Sequence, residues 1–202
     1  MCTGDFMLKK MFVITFVVLG VIMLASCAAN RSYDSYTKLT SYPSVKESQE
    51  ISELYFNPSE NPDENATAKK IVSSAENGNP VALYLLGDAF YEGEEYKEAA
   101  KTLRKSAVKG FSTAQYKYAL ANMRIKGKKT ETYAFLLLSC KSGIKEIRVA
   151  ATKLLVTIEI KEKDKEKAQT LAAAIENTYL PEFKKQIDET EKNFYTAKRK
   201  YL

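Results

Sequence analysis

From residue 63 onward apolar residues recur at helical spacing, and glycine or proline interrupts them at intervals too regular for a single long helix. Pro62 and Asp63 open a helix that carries Ala66, Ala68, Ile71, Val72 and Ala75. Pro80 opens a second, since a missing N–H costs nothing in a first turn. It runs to about residue 91, where Gly93 turns the chain. Residues 94–109 form its partner, acidic at the start and basic near the end as the helix dipole favours. Residues 112–125 and 130–141 read as a second pair, and residues 146–160 and 164–177 as a third. Pro181 begins a long final helix with Phe183, Ile187, Phe194 and Tyr195 on one side.

These pairs repeat. Gly78, Gly110 and Gly143 are separated by 32 and 33 residues, a period that marks a helical repeat array. Ala82 and Ala114 follow the first two glycines at the same distance, as do Tyr84 and Tyr116, and Gly87 and Ala119. Ala75, Ala107 and Cys140 precede the three glycines. Small residues at fixed places let paired helices approach closely, and glycine ends a helix at positive φ.

The block Ala75-x-x-Gly78-x-x-x-Ala82-x-x-x-Leu86-Gly87 resembles the Sel-one-like repeat, a relative of the tetratricopeptide repeat. Residues 133–143, YAFLLLSCKSG, are similar to that repeat's second helix, with Phe135 where tryptophan is usual. Asn122, Ile125 and Ile147 depart from the pattern. The resemblance implies an all-α fold: a short right-handed α-solenoid of helix-turn-helix repeats over residues 63–178, closed by a C-terminal capping helix over residues 179–202. A polar closing helix keeps the end of an array from aggregating.

The amino-terminal part has another character. Lys9 and Lys10 precede an apolar run over residues 11–23, followed by Leu24, Ala25, Ser26 and Cys27. A positive start, a short apolar run and small residues at a cleavage point make a secretory signal, and the run is shorter than the roughly 20 residues of a spanning helix. Met7 reads as a better start than Met1. Residues 24–27 resemble the lipobox of bacterial lipoproteins. That resemblance implies a signal peptide over residues 1–26, cleavage before Cys27, a lipid thioether on Cys27 and acylation of the new terminus. Ala28 stands where aspartate would imply inner-membrane retention, so an outer-membrane location facing the periplasm is expected. Residues 27–62 then read as the lipidated cysteine and a flexible tether, with residues 45–56 capable of forming a helix. About 30 flexible residues reach roughly 30 Å.

Composition narrows the chemistry. Lys and Arg total 31 against 25 Asp and Glu, and removal of Lys9, Lys10 and Asp5 with the leader leaves a net charge of +5. The charges are interspersed, as on a solvated helical surface. The chain has no histidine, which removes the commonest general base and metal ligand. Cys2, Cys27 and Cys140 lack zinc-site spacing, and an odd count is a poor disulfide framework. Disulfide-stapled relatives of the repeat are therefore poor guides. Cys140 occupies a helix-contact position and is expected to be buried and inert.

No catalytic residue, metal site or cofactor site is expected. Tyr84, Phe90, Tyr116, Tyr118 and Phe135 are assigned to the core, whereas Tyr91, Tyr96 and Phe111 lie near turns and form a candidate interaction surface together with Lys184 and Lys185. Repeat arrays present extended binding surfaces. The expected function is a membrane-anchored envelope lipoprotein acting as a protein–protein scaffold or adaptor for another envelope protein or complex, with no nucleic-acid partner. The alternative is a binder of anionic envelope polymer, or an exopolysaccharide-export component, that uses Lys184, Lys185, Lys192, Lys198, Arg199 and Lys200. A remoter alternative is an envelope-polymer enzyme using Glu92, Glu94 or Glu95.

Overall fold

The computed structural model describes residues 42–57, 64–126 and 128–202, and every element within them is a helix. In chain order these are α1 (Val45–Phe56), α2 (Glu64–Glu76), α3 (Pro80–Glu92), α4 (Tyr96–Ala107), α5 (Ser112–Arg124), α6 (Lys129–Ser139), α7 (Lys145–Leu155), α8 (Glu162–Glu176) and α9 (Pro181–Tyr201). Consecutive helices from α2 to α7 pack on one another, giving an all-α, solenoid-like stack. The leader, the lipobox residues Leu24, Ala25 and Ser26, and Cys27 lie outside the described residues. Among the described residues no helix is long and apolar enough to cross a membrane.

The repeat period has a local cause. Gly78 (φ 83°) and Gly110 (φ 91°) both take the left-handed conformation. At the first, Gly78 N–H donates to the Ala75 carbonyl and Asn79 N–H to that of Ser74, which closes the end of α2. Asn79 then caps α3, its side chain accepting from Val81 N and Ala82 N. A serine four residues before each glycine adds a second periodic device. Ser106 donates to the Pro80 carbonyl at 2.6 Å and Ser139 to the Ser112 carbonyl at 3.5 Å, each tying a second helix to the start of its partner. The turn inside each pair falls where Gly93 suggested but uses a different left-handed residue. Gly93 has φ −81°, and the left-handed residue is Glu94 (φ 62°), matched in the next pair by Lys126 (φ 53°). Gly143 lies in the turn between α6 and α7 and does not take positive φ.

Helix contacts depend on small residues. A Cβ at Gly87 would stand 2.6 Å from Leu103 Cγ and 3.1 Å from the Leu103 backbone nitrogen, so α3 and α4 approach as closely as they do because position 87 is glycine. Tyr84, Phe90, Tyr118 and Phe135 are buried as assigned, with Tyr118 and Phe135 edge to face at 4.8 Å. Tyr116 is half-buried against the core.

Two segments have other places than the sequence suggests. Residues 45–56 belong to the core rather than to a tether. Ile51 and Ser52 are wholly inaccessible, and Ser48 and Phe56 are buried. Ser74, equivalent to Ser106, donates to Glu47 of α1 at 2.6 Å, which ties α2 to α1, although α1 packs chiefly on α9. The final helix α9 runs back along the stack, and its nearest helix is α1. The Phe194 ring meets Phe56, Tyr84 and Phe111 edge to face at centroid distances of 5.2, 5.5 and 5.5 Å. Ile187 fills the space over Gly110, where a Cβ would lie 2.7 Å from its Cδ1.

The third unit is irregular. The seventh helix ends at Leu155, leaving Val156 exposed, whereas the sequence suggested continuation to residue 160. Helix α8 packs on α6 rather than pairing with α7. Cys140 is half-buried at the end of α6, beside Ala119, Leu136 and Ala151.

Candidate interaction surface

The last turn of α3 carries Asp88, Tyr91 and Glu92, whose spacing places them on one helical face. Lys117 of α5 reaches across to them. Its Nζ lies 2.7 Å from Asp88 Oδ1, 2.9 Å from Glu92 Oε1 and 4.2 Å from the Tyr91 ring centroid. Burial lowers the pKa of the Lys117 ammonium, but Asp88 and Glu92 raise it by more, and the net direction is upward. The group therefore stays cationic. Tyr55, at the end of α1, borders the cluster, and burial chiefly, with Asp88 and Glu92 adding to it, pushes its hydroxyl pKa up to about 12.

Tyr96 opens α4 and meets Tyr91 edge to face at 5.3 Å. The Arg124 guanidinium stands 5.8 Å from the Tyr96 ring centroid. The result is a pair of half-buried tyrosines, each with a cation over its ring, at the edge where α3, α4 and α5 meet. Their orientations are set by neighbours before anything binds. Such a surface can recognise a partner by stacking and hydrogen bonding.

The other proposed contact residues do not join it. Phe111 is fully buried beneath Phe194 and Tyr84, so its assignment to an exposed surface is corrected. Its position near a turn suggested exposure, but α9 covers that turn. Lys184 and Lys185 are exposed, on α9. The glutamates at the α3–α4 turn have structural tasks: Glu92 pairs with Lys117, Glu94 takes the left-handed turn position and Glu95 precedes α4. Among the described residues no three His, Cys, Asp or Glu side chains group as metal ligands.

Asp88, Lys117 and Arg124 were not legible as site residues. Their meeting depends on the register of α3 against α5, and the only hint in the sequence is the spacing of Asp88, Tyr91 and Glu92. No protein-family model matches the chain, and comparison with curated proteins and with solved structures finds no match.

Proposed function

We propose that this chain is a lipid-anchored envelope protein whose helical repeats hold another envelope protein or complex, acting by binding rather than catalysis. The observation that carries the binding part is the Tyr91–Tyr96 pair, half-buried and fixed under Lys117 and Arg124. A side chain held in place before contact loses little entropy on binding, and tyrosine with arginine is the composition of interface hot spots. The anchor rests on the resemblance of Leu24, Ala25, Ser26 and Cys27 to a lipobox, and the array on that of residues 66–143 to Sel-one-like repeats. An outer-membrane site facing the periplasm follows from Ala28 within the same reading.

The test is capture from solubilised membranes with the wild-type chain and with Tyr91→Ala/Tyr96→Ala. The proposal expects a discrete partner retained by the wild type and lost from the double variant. Equal recovery by both would refute this surface. The second reading, an anionic-polymer binder, is favoured by the exposure of Lys184, Lys185, Lys192, Arg199 and Lys200 along α9. It requires binding to fall steeply with salt, and binding unchanged by salt would remove it.

A further inference from the structure

We propose that the cleft where α6, α8 and the α7–α8 connection meet is a second docking site, one that takes an acidic peptide segment of a partner protein. This rests on the scaffold reading but concerns a surface of its own, separate from the Tyr91–Tyr96 pair. Two neighbouring cavities, of about 610 and 470 Å³, share Lys129 and Glu159 as walls. The larger follows the connection into the first turns of α8, and the smaller reaches back to Met123 and Lys126 at the end of α5. Together they are far larger than a single inorganic anion, and they suit a length of chain.

Positive charge accumulates in these walls. Lys126, Lys129, Lys161, Lys163 and Lys167 stand there against only two carboxylates, Glu159 and Asp164. Lys129 Nζ donates to the Glu159 carbonyl at 3.2 Å, which ties α6 to the connection. Lys126, Lys161 and Lys163 are exposed and have no ion pair among the described residues. The helices that begin at the cleft add to this charge. Neither Lys128 before α6 nor Lys161 before α8 gives a side-chain cap, so no capping oxygen offsets the positive helix ends. The first-turn carboxylates are already engaged: Glu131 with Arg104 at 2.7 Å, Glu162 with Lys165 at 3.0 Å and Asp164 with Lys167 at 3.6 Å. A cleft walled by one sign of charge concentrates the potential felt by an incoming anion.

The apolar part of the walls selects among polyanions. It is aliphatic, made of Met123, Ile158 and Ile160, and no aromatic ring lines either cavity. Single-stranded nucleic acid is held by stacking its bases on aromatic side chains, and sugar rings also pack on aromatic faces. Aliphatic walls fit aliphatic side chains instead, and methionine adapts its shape to them. The cations are all lysines, point charges that meet separate carboxylates without the planar fork of arginine. Carboxylates interspersed with aliphatic side chains describe an acidic peptide.

Fluorescence anisotropy of the detergent-solubilised full chain, with a labelled peptide of glutamate interspersed with leucine, tests this. Saturable binding at low salt is expected, weakened roughly tenfold or more in Lys161→Glu/Lys163→Glu and for the glutamine version of the peptide. Binding should be unchanged in Tyr91→Ala/Tyr96→Ala, which tests the other surface, and in Lys184→Glu/Lys185→Glu on α9. No binding at low salt, equal binding by Lys161→Glu/Lys163→Glu, or loss in either control pair would overturn the proposal. Polygalacturonate displacing the peptide at equal carboxylate concentration would overturn the peptide assignment in favour of an anionic polymer. Should the charge reversal disturb folding, Lys161→Gln/Lys163→Gln decides: weaker binding supports the site, and unchanged binding contradicts it.

Discussion

Replacing Phe194 with alanine removes the side chain that joins α9 to the rest of the core. Phe194 is 1% exposed and meets four aromatic rings, those of Phe56, Tyr84, Phe111 and Tyr195, within 5.5 Å. Truncating a fully buried phenylalanine costs about 3–5 kcal/mol through lost transfer energy and the cavity left behind. Edge-to-face pairs contribute about 0.5–1.5 kcal/mol each but share one ring, so they do not add to that range in full. Phe56, Tyr84 and Phe111 come from three different parts of the stack, which restricts collapse into the cavity. The expected loss is therefore about 4 kcal/mol, or roughly 8–16 °C in Tm for a domain of this size. Urea titration followed by circular dichroism measures it. A loss below about 1 kcal/mol would mean that α9 is not docked on α1 and α3, and the description of the core would be wrong.

Other perturbations test separate links. Gly87→Ala drives a Cβ into Leu103 and should destabilise by about 1–3 kcal/mol despite the better helix propensity of alanine, as thermal unfolding would show. Glu94→Gly relieves a left-handed residue and should raise stability by about 0.5–1 kcal/mol, with a lowered Tm as the contrary result. Ile51→Ala should cost about 2–5 kcal/mol if α1 is core, whereas a tether residue would show almost none in a denaturant titration. Cys27→Ser should abolish incorporation of labelled fatty acid while leaving the helical signal unchanged, because the hydroxyl is a poor substitute for a thiolate nucleophile.

The features that could be read from the sequence were local ones. Gly78 and Gly110 set the period because their φ values require glycine, and Pro80 and Pro181 begin helices where expected. The periodic serines Ser74, Ser106 and Ser139 stand at one position before each repeat glycine and were equally visible, but serine in a helix signals nothing until its acceptor is known. Helix α1 was legible as a helix over residues 45–56, but its place in the core was obscured because its buried face includes Ser48 and Ser52 as well as Ile51 and Phe56, which weakens the apolar pattern. For α9 the apolar face was plain, but a face does not name its partner. The consequence reached Phe111, whose exposure was misjudged because its cover comes from residues some eighty positions later. The Tyr91–Tyr96 pair was half legible: both residues stood at turns, while the cations that fix them come from α5.

One measurement bears on anchor and array together: photocrosslinking in intact cells from a probe at Tyr96, in the wild type and in Cys27→Ser. The account predicts a discrete adduct in the membrane fraction of the wild type and its loss in Cys27→Ser, with the array still folded in both. An adduct of equal yield in both proteins, or no adduct in the wild type, would contradict a lipid-anchored scaffold.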